Sequence, residues 1–232
     1  MIGLFNRKQP IKVKHDELEI RPFEPKKDNW VEVRNMAFAS YKELITEVIN
    51  DFMFHPILSS ILAILAGVLY QMKGSLWNPF IFLVVLYPTL YFFLVWKIPI
   101  LEMSKQVDYD KFVEYWIQPN HPLWLLFHKG KLIGSAGLKE LDVNTRGELV
   151  RVYIAPEYRH NGLGEILVYT VIDYCEKHKY DELTLATSVL QTAAMKLYEK
   201  IGFKQYKPYT AYYLKPILSV EENMYNMTFP RK

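Results

Sequence analysis

The chain has 232 residues, a formal net charge of +3 and one cysteine. That length allows one domain with a substantial core plus a smaller apolar element, and the charge is too small to imply a nucleic-acid partner. Cys175 alone supports no disulfide framework, and no Cys/His cluster at metal-ligand spacing, repeat or long disordered tract occurs, so no metal is expected.

Residues 1–17 read as a polar leader, with Arg7, Lys8, Lys12 and Lys14 solvated. Leu18 to Pro22 is the first strand, and Asp28 opens a helix running to about Asp51. Residues 52–72 and 74–96 then contain no Asp, Glu, Lys or Arg, and only Lys73 separates them. At about 1.5 Å per residue such a run reaches roughly 30 Å, the thickness of a bilayer core. Joined by Gln71 to Ser75, the two runs predict an inserted helical hairpin over residues 52–97. It is either spanning or, given His55-Pro56, Pro79, Pro88 and Pro99, re-entrant. Arg34, Lys42, Lys97, Lys105 and Lys111 flank it, against Lys73 in the turn, which favours flanks on the cytosolic side. The first strand belongs with the later ones, so both flanks must lie on the same side.

Beyond the hairpin, an amphipathic helix is expected from about Leu101 to Ile117, stopping before Pro119. Leu123 to His128 and Lys131 to Leu138 flank Lys129-Gly130, a hairpin signal, and Glu140 to Gly147 reads as a turn. A strand from Glu148 to Ile154, a helix from Gly164 to Lys179, a strand from Glu182 to Thr187 and a helix from Gln191 to Ile201 follow. A closing pair is expected near Lys204 to Tyr206 and Ala211 to Leu214. The class is α/β.

The sharpest functional signal is Arg159-His160-Asn161-Gly162-Leu163-Gly164, on a strand-to-helix turn. Without Cβ atoms at Gly162 and Gly164, backbone N–H groups can approach phosphate oxygens, and the helix N-terminus adds its positive dipole end. Downstream lies Leu197-Tyr198-Glu-Lys-Ile-Gly202-Phe203. Together these resemble the R/Q-x-x-G-x-G/A loop and L-Y-x-x-x-G-F ending of the GNAT acyl-CoA-dependent acetyltransferases, over roughly residues 18 to 214. Glu148-Leu-Val-Arg151, Thr187-Ser-Val-Leu-Gln191-Thr-Ala-Ala194 and the early apolar insertion look most like the camello-like membrane N-acetyltransferases, which include the cysteine S-conjugate and aspartate N-acetyltransferases.

The resemblance implies a GNAT domain over 18–51 and 98–232, a mixed central sheet with flanking helices, interrupted by the hairpin. It implies acetyl-CoA as cosubstrate. Backbone groups of Val152, Tyr153 and Ile154 would hold pantetheine as an added strand, and those of His160, Asn161, Gly162, Leu163 and Gly164 the pyrophosphate, with Arg159 beside a phosphate. Tyr198 would protonate the leaving thiolate and Glu148 would serve as general base, directly or through water. Gln191 stands where many relatives carry a CoA-contacting asparagine. Arg151, a charge in a central strand, either pairs with a carboxylate or binds an acceptor carboxylate, and a bulge would bring it beside Glu148.

The expected activity is acetyl transfer to the primary amine of a small acceptor, at the endoplasmic reticulum membrane with the catalytic domain facing the cytosol. A protein lysine or N-terminal acetyltransferase, and an inactive CoA-binding or scaffold protein, are the alternatives. The partners are an amine acceptor and the lipid bilayer.

Overall fold

The computed structural model describes residues 11–73, 77, 81, 84–85, 87–143, 145–214 and 218–229. Arg7 and Lys8 of the leader, Gly74 and Ser75 of the hairpin turn, and Pro79 lie outside the described residues.

Seven strands form one sheet: β1 Leu18–Pro22, β2 Leu123–His128, β3 Lys131–Asp142, β4 Arg146–Ile154, β5 Glu182–Ser188, β6 Lys204–Leu214 and β7 Leu218–Thr228. Their order is β1-β2-β3-β4-β5-β7-β6, and every neighbouring pair is antiparallel except β4 with β5. The helices are α1 Trp30–Ala37, α2 Ala39–Met53, α3 Pro56–Lys73, α4 Tyr87–Ser104, α5 Val107–Asp110, α6 Phe112–Trp116, α7 Leu163–Lys177 and α8 Thr192–Ile201. The mixed sheet with flanking helices is the α/β architecture expected.

The main core lies between the sheet and α7. Leu163, Leu167, Val168, Val171, Ile172 and Cys175 are buried, a spacing that puts one stripe of α7 against Leu138, Leu149, Leu183 and Leu185. α8 ends at Gly202, whose φ of 112° reverses the chain, and the Phe203 N–H returns to the Tyr198 carbonyl.

Four expected elements differ, and one is the turn expected from Glu140 to Gly147, of which Glu140 to Asp142 belong to β3 and Arg146 and Gly147 to β4. The helix from Asp28 to Asp51 is two helices, capped by Asn29 and broken at Phe38, which is buried against Tyr109 and the Arg151 guanidinium. Asp28 instead accepts from Arg21 and from the Glu24 N–H. The helix from Leu101 to Ile117 is broken into the end of α4, α5 and α6, because Gln106 is extended and Asp108 turns in toward Arg151. The closing pair is the continuous strand β6 followed by β7. The segment Glu221-Glu222-Asn223 in β7 hides its strand character behind polar residues.

α3 and α4 occupy the apolar insertion. Among the described residues no single helix is long and apolar enough to cross a membrane; Ala39–Met53 and Leu58–Met72 pass that test together, bent by 49°. α2 packs on α4 through Leu44, Ile45, Val48, Ile49, Met53 and Ile98, with Val220 of β7 closing the cluster. Ile61, Ile64, Phe92, Phe93 and Trp96 are more than half exposed.

Candidate active site

β4 and β5 pair only at Arg146↔Glu182, Gly147↔Leu183 and Glu148↔Thr184, although β4 runs on to Ile154 and β5 to Ser188. Beyond Glu148 the two strands have parted, so the backbone edge of 149–154 faces no strand on that side. Such an edge accepts an extended ligand as an added strand. The parting coincides with a bulge: Arg151 has a φ of 56°, and the β3–β4 register shifts between Gly137↔Val150 and Ser135↔Tyr153. Here a bulge was expected, and it lies where it was expected.

A cavity of about 740 Å³ opens at this parting. Glu148, Val152, Gln191 and Tyr198 line it, together with Tyr41 of α2, Glu102 of α4, Asp108 of α5, and Tyr209 and Glu222 of the β6–β7 hairpin. Of the expected site residues, the structure therefore brings Glu148, Arg151, Val152, Gln191 and Tyr198 into one cavity wall. Tyr198 is buried beside Phe203, and burial raises its hydroxyl above the ordinary tyrosine range. The hydroxyl is therefore kept in its neutral form.

Glu148 stands 3.4 Å from Lys139 Nζ. Arg151 forms two hydrogen bonds to Asp108 and lies over the Phe38 ring at 3.9 Å. Of its two sequence-based roles, carboxylate pairing is the one the geometry displays, and its partner is Asp108. Thr187 Oγ1 donates to Gln191 Oε1 at 3.1 Å, which leaves the Gln191 amide N–H groups as donors toward the cavity.

The glycine loop lies at the other end of the β4 edge. Gly162 has a φ of 73° and caps α7, and a Cβ built there meets nothing within 4 Å. A Cβ at Gly164 would come within 3.2 Å of Leu197. Among the described residues no backbone carbonyl accepts from the N–H groups of 160–164. Open space above Gly162 and free N–H groups at a helix N-terminus fit a pyrophosphate. Asn161 closes the loop by donating to the carbonyls of Tyr158, Arg159 and Ile11.

Arg159 is placed differently from a simple phosphate ligand. Its Nε donates to the Ile154 carbonyl at 3.0 Å and its Nη2 to Glu43 Oε2 at 2.8 Å, while the Tyr153 hydroxyl donates to Glu43 at 3.0 Å. Arg159 thus straps the loop to the end of β4 and to α2, and it occupies one of the Ile154 groups expected to hold pantetheine.

Sequence reasoning missed Tyr41, Glu43, Glu102, Asp108, Tyr209 and Glu222. Each reaches the site through tertiary packing of α2, α4, α5, β6 or β7, and none lies in a motif. Tyr41 is pushed up to about 12, first by burial and then by Glu102, which marks it as a neutral hydroxyl.

Residues 89–203 match the model of the acetyltransferase (GNAT) family. Over 193 residues, 82% of this chain and 70% of the relative, the chain is 24% identical to an N-acetylaspartate synthetase of Xenopus tropicalis. It is 33% identical over 100 residues to the Xenopus tropicalis protein named "Probable N-acetyltransferase camello", and there it spans 45% of the relative's length. A crystal structure of an acetyltransferase from Streptococcus agalactiae superimposes with a TM-score of 0.51 at 16% identity, covering 92% of this chain and 99% of that one. That last likeness speaks for the fold.

Proposed function

The chain carries an acetyltransferase domain of the GNAT family, and from that premise we propose that it transfers an acetyl group from acetyl-CoA to the primary amine of a small acceptor while anchored in a membrane. The observation that carries the reading is the parting of β4 and β5, with the glycine cradle at one end of the free edge and Tyr198 in the wall of the cavity it opens.

Each residue has a part. The backbone edge of Val152 and Tyr153 takes the pantetheine as an added strand, and the N–H groups of 160–164 take the pyrophosphate. Gln191 offers its amide N–H from the opposite wall. Acetyl-CoA supplies an activated acyl group. At the acceptor, the Glu148 carboxylate takes one proton from the ammonium, which leaves a neutral amine free to attack. As the C–N bond forms and the C–S bond breaks, Tyr198 gives its Oη proton to the departing sulfur, and the phenolate left behind is reprotonated by the second proton that the nitrogen loses. Arg151, held by Asp108, fixes the bulge that turns β4 away from β5, and acts as a positioning residue in this reading.

Membrane anchoring rests on the outward apolar faces of α3 and α4. Ile64, Met72, Phe92 and Trp96 are 69%, 73%, 68% and 62% exposed, and outward apolar side chains of that kind suit a lipid or protein contact. Trp96 with Lys97 Nζ 4.2 Å from its ring suits the boundary between hydrocarbon and water. α2 and α4 also line the cavity, so in this reading the acceptor pocket lies beside one of the anchored helices. The test is an acceptor screen with purified, detergent-solubilised protein, following release of free CoA. Release that depends on an added amine supports the reading, and no release with any amine from a broad panel counts against it.

A further inference from the structure

Glu148 pairs with Thr184 across β4 and β5, and Ser188 pairs with Glu222 across β5 and β7. Side chains alternate along a strand, so Thr184, Ala186 and Ser188 share one face of β5, and their cross-strand partners Glu148 and Glu222 share it too. Tyr209 stands opposite Glu222 in the β6–β7 ladder, and its hydroxyl donates to Glu222 Oε2. Both carboxylates line the cavity that Tyr198 also lines, Glu148 from β4 and Glu222 from β7 on the far side of β5.

Their settings differ. The Glu148 side chain is 26% exposed and beside Lys139, whereas Glu222 is buried in the β7 ladder with one oxygen held by Tyr209. Tyr41 of α2 lines the same space. Burial first, and then Glu222 and Glu148, hold the Tyr209 hydroxyl in its neutral form, so Tyr209 orients Glu222 without adding charge. In the same lining Lys105 faces Glu102, Lys139 faces Glu148 and Arg151 faces Asp108, whereas the hydroxyl that Tyr209 gives to Glu222 is neutral and leaves its negative charge in a partly enclosed space. An ammonium group, with three N–H donors, suits such a carboxylate.

We infer that Glu222, oriented by Tyr209, anchors the ammonium group of the acceptor in the cavity it shares with Glu148, so that the pocket selects amines that arrive as cations. The inference rests on the acetyltransferase reading of the same cavity. It adds a binding residue outside the two sequence motifs, on a strand the sequence pattern conceals.

The test uses the full chain in detergent, with benzylammonium and its neutral isostere benzyl alcohol as probes, titrated with and without saturating CoA. The wild type is expected to bind the cation at least about tenfold more tightly than the alcohol. Glu222→Gln should abolish that preference, with affinities for benzyl alcohol and CoA staying within about twofold, and Tyr209→Phe should reduce it by a smaller factor. Equal binding of the two probes by the wild type, or an intact preference in a folded Glu222→Gln protein, overturns the inference. Should circular dichroism show that Glu222→Gln does not fold, an unchanged preference in Tyr209→Phe overturns it instead. The CoA titration separates the two claims. Loss of CoA binding in the wild type removes the acetyltransferase reading, whereas CoA binding without a cation preference removes only the role of Glu222.

Discussion

Asp108 grips the Arg151 guanidinium with both carboxylate oxygens, at 2.7 Å from Nε and 2.8 Å from Nη2, across 43 residues of chain. The pair ties the short helix that follows α4 to the bulge of β4, so the geometry of the cavity depends on the segment leading out of the apolar insertion. The two side chains are only 11% and 14% exposed. Removing one partner of so buried a pair strands the other charge, at a cost of about 3–5 kcal/mol. Asp108→Asn should therefore lower the thermal unfolding midpoint markedly. Combining it with Arg151→Met should recover part of the loss, a coupling that a double-mutant cycle measures directly. Additive losses in the double variant would show that the pair does not couple the two elements.

Gly162→Val tests the phosphate cradle. The left-handed backbone at a φ of 73° disfavours any residue with a Cβ by about 1–2 kcal/mol, and valine fills the open space above the loop N–H groups. CoA affinity, measured by calorimetry, should fall by more than about tenfold while the far-ultraviolet circular dichroism spectrum stays native. A folded variant with undiminished affinity would place the cofactor elsewhere.

Tyr198→Phe keeps the buried ring against Phe203 and deletes the hydroxyl. Because burial holds that hydroxyl protonated, its loss should lower kcat by about 10²- to 10⁴-fold with little change in CoA affinity. Turnover within about twofold of the wild type, where chemistry limits the rate, would reject Tyr198 as the acid.

The parts of the site that were legible in the sequence are those fixed by local backbone geometry. Gly162 and Gly164 announce a turn into a helix, and Tyr198 sits four residues before Gly202, whose positive φ ends α8. Periodicity likewise fixes β2, the start of β3, β4, α7, β5 and α8 to within a few residues. Glu222, Tyr209 and Asp108 are illegible for the opposite reason. Their roles come from which strand lies beside β5 and which turn faces Arg151, and no local spacing records that. β7 reads as polar chain because Glu222 and Asn223 are buried by pairing within the sheet instead of by an apolar pattern. Phe38 breaks a helix that its neighbours favour, since tertiary packing against Tyr109 and Arg151 outweighs helix propensity there.

Asp28 gives a pH-dependent prediction. Hydrogen bonding from Arg21 is the first cause that holds its carboxyl below the usual carboxylate range, and the Glu24 N–H adds to it. A depressed folded-state pKa means that the contribution is complete above the unfolded value and is lost as pH falls through the folded one. Asp28→Asn should then cost about 1–3 kcal/mol at neutral pH. The gap between variant and wild type should close as the medium is acidified below the ordinary aspartate range. A gap that is constant across that range would mean that the carboxylate charge contributes nothing.

The membrane side of the reading leads to a topology experiment, and the structure decides which reporter is useful. The sequence carries an N-glycosylation sequon at Asn226-Met227-Thr228. Asn226, however, lies inside β7, paired with Thr184 on one side and Lys204 on the other, and its Nδ2 donates to Glu182 at 2.8 Å. An acceptor asparagine held in the interior of a sheet is a poor glycan site on either side of a membrane, because sequons are used in accessible loops. The Lys and Arg residues flanking the apolar insertion, Arg34, Lys42, Lys97, Lys105 and Lys111, favour a cytosolic domain, where acetyl-CoA is also at hand. Protease added to intact microsomes containing the expressed protein should therefore digest the catalytic domain. A short fragment carrying the outward apolar faces of α3 and α4 should remain with the membrane pellet after an alkaline wash. A domain that is protected until detergent is added would reverse the orientation, and a chain released entirely by the alkaline wash would remove the anchor.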